Sequence, residues 1–431
     1  MRQKESRRVN RRKAAITLVT MVALSASMGS SWSRTAAAPA DREVFIGGLF
    51  SLTGNWSGLG LAGRAAMELA VDDVNKYLTG NAAHVRFVAR IEDTKLEPEL
   101  ALEKARELRA RGAQLLIGAQ SSAEVERLKP FVDANAMLLV SPSSTAGSLA
   151  IADDNVFRFC PSDSLEGAAI AALMWADGMR VVIPVWRDDA GMAGLKMTTD
   201  AAFAARGGTV MNGAKYTPTT TDFASTVASA NEQVEQAVAQ YGSGKVAILL
   251  SGMDEVTSVL AAASARPALG SVRWYGTDAS ARSEVLVANP KAAAFAVRVG
   301  FPNAIFGLEE GAHDIWMPLV DRVQKRGGHE AGGFALAVYD AVWAVARAYI
   351  ASGAPTDIVK LKRAFTTAAS TGYGATGWTV LNAAGDRKFG DFDFWAPREM
   401  NGAIAWARIA RYETRTGRLV RILNAGVATA P

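Results

Sequence analysis

The chain has 431 residues, enough for two domains, and 49% of them are hydrophobic, which excludes a disordered or fibrous protein. Its formal net charge of +5 arises at the N-terminus, because residues 1–40 hold eight of the 47 Lys and Arg and only one of the 42 Asp and Glu. The remaining residues carry 39 basic and 41 acidic side chains, so no nucleic-acid partner is indicated.

Residues 1–40 have the pattern of a secretory signal peptide. A basic segment ends at Lys13, an apolar run follows at 14–26, and Ala38-Pro39-Ala40 fits a cleavage site before Asp41, with Ala36-Ala37-Ala38 as a second candidate. The alternative is an uncleaved anchor helix. The run is too short for a membrane span, and no later segment reads as long and apolar enough to cross a bilayer. The single cysteine, Cys160, excludes an intramolecular disulfide and reads as a small buried hydrophobe. We therefore expect an exported protein that is soluble after cleavage.

Strands and helices alternate along most of the chain. The first series has predicted strands at 44–50, 85–92, 114–117 and 137–140, with helices at 59–78, 97–111 and 122–134. The second series, from 165 to 300, has strands at 181–185, 210–216, 246–250, 272–275 and 296–300, separated by helices. This repeated alternation predicts an α/β fold of two doubly wound parallel-sheet lobes. Helices near 309–325, 333–351 and 356–368 follow, and 389–395 and 403–412 alternate like antiparallel or edge strands.

The stretch 118–146 carries the most informative polar residues. Ser121 and Ser122 follow one buried strand and open a helix, and a second hydroxyl cluster, residues 141–145, follows the next strand. Parallel strands that end side by side would place both clusters at the carboxyl edge where ligands bind in such sheets. A helix N-terminus there suits a carboxylate. The stretch is read either as half of an amino-acid or small-anion clamp, or as a helix cap at Ser122 with an ordinary loop.

Other motifs are weaker. Residues 58–63 match G-x-G-x-x-G, but the motif does not directly follow a strand, so a dinucleotide site, a loop entering a helix and a loop over a ligand stay open. Asp188-Asp189 has no histidine near it, which argues against a metal centre. Asp278 ends a short strand and fits an ammonium partner or a turn residue. No catalytic residue, metal site or cofactor is predicted.

Six segments in order resemble one family. They are residues 46–75, 91–122, 138–145, 275–280, 337–348 and 371–395. The chain is similar to the branched-chain amino acid (Leu/Ile/Val) type of substrate-binding proteins of ABC transporters, over nearly all of residues 43–400. The resemblance implies the type I periplasmic binding fold, with two lobes and a hinge that the chain crosses three times. Lobe 1 would comprise 41–160 and 302–376, and lobe 2 would comprise 161–301 and 377–431, with crossings near Cys160, Phe301 and Gly377.

The resemblance also implies site residues. By the family pattern Ser122 binds the ligand carboxylate, Ser143 offers a main-chain carbonyl to the ammonium group, and Thr145 contacts both. Asp278 of lobe 2 neutralises the ammonium. Ser121, next to Ser122 in the sequence, is a further candidate for ligand binding. The loop with Trp56 and Leu59 lines the pocket for the ligand side chain.

One departure from the family concerns the wall of lobe 2. The family has a tyrosine after the first strand of that lobe, and Gly191 stands where it would fall. Trp186 or Met253 could fill this wall. Because the wall differs from that of the family, the sequence does not identify the ligand.

The resulting expectation is a periplasmic, monomeric substrate-binding protein that takes an amino acid or related solute and delivers it to ABC permease subunits. The alternatives are a ligand-sensing receptor of the same fold that acts on a regulator, and an NAD-linked enzyme built on residues 58–63. The sequence gives almost no support for an enzyme.

Overall fold

The computed structural model describes residues 42–81, 83–353 and 357–422. The signal peptide predicted for residues 1–40 lies outside the described residues. The first part of the chain alternates strands and helices as expected. Its elements are β1 (Arg42–Phe50), α1 (Ser57–Gly80), β2 (Val85–Asp93), α2 (Pro98–Ala110), β3 (Leu115–Gly118), α3 (Ser122–Ala134), β4 (Leu138–Ser141) and β5 (Val156–Arg158).

These five strands form one parallel sheet in the order β2-β1-β3-β4-β5. β3 and β4 are fully buried runs, LLIG and LLVS, as expected for central strands covered on both faces. Ile117 pairs with Val140, so the two strands end at the same edge. The polar residues that follow them are therefore neighbours.

The second series forms a second parallel sheet. Its elements are α4 (Asp163–Ala176), β6 (Val181–Arg187), α5 (Ala190–Ala204), β7 (Thr209–Val210), β8 (Ala214–Tyr216), α6 (Ala224–Tyr241), β9 (Val246–Ser251), α7 (Val256–Ala263), β10 (Arg273–Tyr275), α8 (Glu284–Ala288) and α9 (Pro290–Val299). The strand order is β10-β9-β6-β7, with β8 also paired to β6. The two sheets confirm the predicted α/β class.

The strand predicted at 296–300 is wrong, because these residues are the end of α9. Asn289 caps that helix by accepting from the N–H groups of Lys291 and Ala292, and Pro290 occupies its first position. Gly300 ends it in the left-handed conformation, with φ 83°. These start and stop signals favour a helix, and the short apolar run alone could not show it.

The last part of the chain mixes helices with antiparallel strands. Its elements are β11 (Asn303–Gly307), α10 (His313–Gly327), α11 (Gly333–Ala351), α12 (Ile358–Ser370), β12 (Tyr373–Gly374), β13 (Gly377–Trp378), β14 (Asp391–Met400), β15 (Ala403–Glu413) and β16 (Arg418–Arg421). β11, β14, β15 and β16 form an antiparallel sheet in that order, which confirms the alternation predicted for the tail. β12 and β13 form a separate hairpin.

One helix corrects the expectation about membrane spans. Within the described residues, α11 is long and apolar enough to cross a bilayer, and 72% of its most apolar window is buried inside the protein. It packs on α1 and α12 in the core below the first sheet. Its apolarity is therefore that of a core helix, buried on most sides.

Candidate functional site

The turn from β3 into α3 fixes the first hydroxyl pair. Ser121 is the N-cap, and its Oγ accepts from the Glu124 N–H at 3.3 Å. The Glu124 carboxylate accepts in return from the Ser121 N–H at 2.9 Å and from its hydroxyl at 2.7 Å. This is a capping box. The cap is thus Ser121, and the alternative that placed it at Ser122 is wrong.

Ser122 joins α3 to the turn after β4. Its Oγ accepts from the Ser144 hydroxyl at 3.1 Å and from the N–H groups of Thr145 and Ala146, both at 3.2 Å. None of these bonds uses the hydroxyl hydrogen of Ser122, which is therefore able to donate. Ser143 donates to the Gln120 carbonyl at 2.9 Å. The two predicted hydroxyl clusters are one hydrogen-bonded unit.

A buried arginine supports this turn from below. Arg158 is 1% exposed, and its Nη1 donates to the Ala146 carbonyl at 2.5 Å. Its Nε donates to Asp386 at 2.5 Å, and Asp386 lies in a late segment that adds one parallel bridge at the β5 edge. The turn is thus anchored by a residue of the sheet beneath it.

The opposite side of the site is acidic. Asp278, after β10, is 4% exposed, and its N–H donates to Glu166 Oε1 at 2.9 Å. Asp278 Oδ1 and Glu166 Oε2 are buried without a hydrogen-bond partner in the described part of the chain. Burial raises the pKa of Asp278 and of nearby Asp163 to about 7, and burial next to Asp278 raises the pKa of Glu166 as well.

Both sides face one small cleft with an empty volume of ≈ 280 Å³, open solvent at its mouth included. It is lined by Trp56, Ser121, Ser122, Ser143, Thr145, Asp189, Gly191, Met192, Met253 and Asp278. Seven of the nine predicted site residues are in this set. Leu59 lines a chamber next to the cleft, and Trp186, half-buried on β6, lines neither space.

The adjoining chamber has an empty volume of ≈ 880 Å³, open solvent at its mouth included, and shares Trp56 and Asp278 with the cleft. Leu59, Ile305 and Phe334 form apolar walls. Its charged lining residues are Asp254, Asp278, Arg282, Glu284 and Glu330, with His329 beside them. A molecule held in the cleft could therefore extend into a space with apolar walls and a charged rim.

Gly191 lines the cleft at the position where the resemblance implies a tyrosine. A Cβ at this position would lie 3.6 Å from the Oγ of Ser122, so the backbone of α5 approaches α3 closely. Asp189 caps α5 by accepting from the Met192 N–H at 2.9 Å, and Arg187 donates to its second oxygen at 2.6 Å. Met192 and Met253 supply the apolar part of this wall.

Two loops about 200 residues apart are hydrogen-bonded beside the cleft. Asn55 Nδ2 donates to Glu255 at 2.8 Å, and the Asp254 N–H donates to Asn55 Oδ1 at 3.1 Å. The Trp56 N–H donates to the Asp254 carboxylate at 2.7 Å. We call these three bonds the clasp.

The glycine motif at 58–63 lies inside α1. A Cβ on Gly60 would lie 1.7 Å from the Ser51 carbonyl oxygen, and one on Gly63 would lie 3.2 Å from the Phe50 ring. The glycines therefore allow helix α1 to pack against the end of β1, and they do not form the strand-to-helix loop of a dinucleotide site.

The aspartate pair is engaged in ion pairs. Asp188 pairs with Lys215 at 2.7 Å, and Asp189 pairs with Arg187. Across the described ranges, no group of three or more His, Cys, Asp or Glu residues is placed to hold a metal ion.

Sequence reasoning missed several residues of the site. Asp163 and Glu166 lie in the first turn of α4. They are the only charged residues of that apolar helix, DSLEGAAIAALMWA, and this contrast was an available signal. The sequence analysis considered Asp189 only as a possible metal ligand. It considered Gly191 only as the position where the tyrosine of the family is missing.

Comparison with known proteins identifies the fold. The profile of the receptor family ligand binding region matches residues 62–398. An uncharacterized protein of Methanocaldococcus jannaschii is 26% identical over 397 residues, which cover 88% of this chain and 92% of that protein. The substrate-binding protein BasB of the chemotactic signal transduction system of Halobacterium salinarum is 32% identical over 144 residues, 31% of this chain and 34% of BasB.

Solved structures resemble the chain at low identity. A leucine-binding protein LivK from Thermotoga maritima has a TM-score of 0.69 at 18% identity and covers 88% of this chain and 99% of its own. A solute-binding protein of an ABC transporter from R. palustris, in complex with benzoate, has a TM-score of 0.67 at 17% identity, with coverage of 90% and 99%. The fold is therefore the type I periplasmic binding fold.

Proposed function

Because the chain belongs to the family of receptor ligand-binding regions, we propose that it is an exported substrate-binding protein of an ABC importer. The ligand would be an amino acid or a related small carboxylate or amide. The observation that carries this proposal is the cleft lined on one side by Ser122 and Thr145 and on the other by Asp278, whose Oδ1 is buried without a hydrogen-bond partner in the described residues. Such a cleft offers hydroxyl donors at one end and an acceptor for an ammonium group at the other.

We propose the following sequence of events. The ligand binds lobe 1 (41–160 and 302–376) through Ser122, Ser143 and Thr145. Asp278 then draws in lobe 2 (161–301 and 377–431) about a hinge near Cys160, Phe301 and Gly377, which shifts the population toward the closed form. The closed monomer docks on permease subunits at the membrane, in the periplasm, after removal of residues 1–40.

Asp278→Ala tests the site. We expect it to weaken binding of a zwitterionic ligand by about 2–5 kcal/mol, because the ligand ammonium would be buried without its counter-charge. The measurement is isothermal titration calorimetry with the amino acid that gives the largest thermal shift. Asp314→Ala is the matched control, since that side chain is fully exposed. Equal dissociation constants for the two variants would refute the role of Asp278.

A second candidate is a receptor that reports its ligand to a signalling partner. The similarity to BasB, a chemotactic substrate-binding protein, favours it. The two functions differ in what deletion of the gene abolishes. Loss of uptake of the radiolabelled ligand supports import, whereas intact uptake with loss of a behavioural or transcriptional response to the ligand supports sensing.

A further inference from the structure

The chamber beside the cleft has more acidic than basic side chains in its lining. The acids are Asp254, Asp278, Glu284 and Glu330, and among the described residues Arg282 is the one arginine or lysine that lines it. Its other walls are largely apolar. An excess of acids attracts a cationic ligand only where those acids have no cation of their own, so the partners of each acid need to be compared.

Glu330 has its own cation. Arg282 Nη2 contacts Glu330 Oε1, and the two side chains are 17% and 40% exposed. The Arg282 guanidinium also lies over the Trp395 ring, 4.5 Å from its centroid. This arginine is therefore engaged within the protein, and its charge offsets that of Glu330 and leaves the other acids of the chamber uncompensated.

Asp254 has hydrogen bonds from neutral donors only. Its two carboxylate oxygens accept from the Trp56 N–H at 2.7 Å and from the Ser283 hydroxyl at 3.2 Å, and it forms no ion pair within the described ranges. Burial raises the pKa of Asp254, and the negative charges of Glu255 and Glu284 act in the same direction. A carboxylate held among other carboxylates is stabilised by a cation that comes close to it.

Glu284 has a weaker partner than Glu330. It lies in the first turn of α8, its side chain is 60% exposed, and one of its oxygens lies 3.4 Å from the Nδ1 of His329. When protonated, that histidine offsets the charge of Glu284 alone, and when neutral it offsets none. Asp254 stays without a cation in either state.

A second observation points to a ligand in this space. Asp278 lines both the cleft and the chamber, is 4% exposed, and has a buried Oδ1 with no donor in the described part of the protein. Buried polar atoms in proteins nearly always have a hydrogen-bond partner, so this oxygen is expected to receive a donor from a bound molecule. Asp254 and Asp278 thus line one connected space with two carboxylates that lack cations.

From this arrangement of charges, and resting on the proposed function, we infer that the ligand is a basic amino acid whose side-chain cation lies in the chamber. Asp254 is the specificity-determining residue, and Glu284 adds a weaker attraction at the exposed rim. The aliphatic part of the ligand side chain packs against Leu59, Ile305 and Phe334. The empty volume of ≈ 880 Å³, open solvent included, is within the range of small-molecule sites.

Two pairs of ligands of nearly equal shape test the inference. L-Arginine and L-citrulline differ in the charge of the end group, and L-lysine is compared with an analogue in which a methyl group replaces the terminal ammonium. We expect the charged member of at least one pair to bind the wild type about tenfold more tightly than its neutral counterpart, measured by titration calorimetry. Neutral members that bind as tightly as the charged ones in both pairs would overturn the inference.

Asp254→Asn separates the charge of Asp254 from its place in the clasp. The substitution alters the bond from the Trp56 N–H for every ligand, but it removes an attraction that only the charged ligands have. We expect the tenfold preference for the charged member to fall to about threefold or less. Asp314→Asn is the matched control, because that side chain is fully exposed, and it should keep the preference of the wild type.

Glu284→Gln keeps the test valid if Asp254→Asn does not fold, because Glu284 is exposed. It should lower the same preference by a smaller factor. A preference unchanged in both variants would overturn the inference. Binding of L-leucine or benzoate without binding of either basic amino acid would overturn it and leave the proposed function intact. No binding of any of these solutes would overturn both.

Discussion

Removal of the clasp should weaken ligand binding even though it changes no residue proposed to touch the charged ends of the ligand. Asn55→Ala deletes two of the three bonds, those to Glu255 Oε2 and from the Asp254 N–H. A hydrogen bond to a charged group contributes about 1.5–3 kcal/mol and a neutral one about 0.5–1.5 kcal/mol. Both loops are partly buried, so we expect a loss near the lower end, about 2 kcal/mol.

If the clasp exists only when the proposed lobes are closed, 2 kcal/mol lowers the closed-to-open ratio about 30-fold. The dissociation constant for the best-binding amino acid should rise by up to that factor, measured by titration calorimetry. Small-angle scattering should show a larger radius of gyration at subsaturating ligand. Asn135→Ala is the matched control, because the Asn135 amide donates at 2.8 Å to the nearby Phe131 carbonyl and joins no distant loops. A dissociation constant equal to that of the control would refute the clasp as a closing contact.

Two further predictions concern stability. Arg158→Met leaves Asp386 buried without its cation, so the free energy of unfolding in urea should fall by about 3–5 kcal/mol. Arg64→Met, at an ion pair whose side chains are 50% and 34% exposed, should cost under about 1 kcal/mol, and equal losses would contradict the reasoning. Because burial raises the pKa of Asp278 to about 7 from 3.8, the native state holds a proton between about pH 4 and 7 that the unfolded chain releases. The free energy of unfolding of the ligand-free protein should therefore fall as pH rises from 5 to 8, while affinity for the ammonium group rises. Asp278→Asn should show a smaller fall, and identical slopes in both proteins would refute the assignment.

The position of the hydroxyl groups could be predicted because it depends on residues that are close together in the sequence. β3 and β4 are short, wholly apolar runs, and each is followed at once by serines, so parallel pairing had to bring the serines together. Which serine capped α3 was decided by Glu124, whose carboxylate reaches back to Ser121. The sequence already contains the capping-box pattern, because Ser121 and Glu124 are three residues apart. That pattern assigns the cap to Ser121 and leaves the Ser122 side chain available for another role.

The acidic side could be predicted only in part. Asp278 was found because it ends a strand, but its contact with Glu166 joins residues 112 positions apart. No periodicity in one sequence encodes such a contact. The close approach of Gly191 to Ser122 could not be predicted for a similar reason, since it depends on which helix lies opposite.

The partnership of Arg158 and Asp386 has a consequence for biogenesis. The core under the first sheet contains residues of α1, of α11 and Phe365, so it is built from parts of the chain that are synthesised far apart in time. During translation, Asp386 is added 228 residues after Arg158, so the Arg158 guanidinium has no ion-pair partner until then. Long-range closure of this kind slows folding and leaves apolar surface exposed meanwhile. Such late closure would suit the proposed export, because a chain that has not yet folded can cross a membrane through a narrow pore.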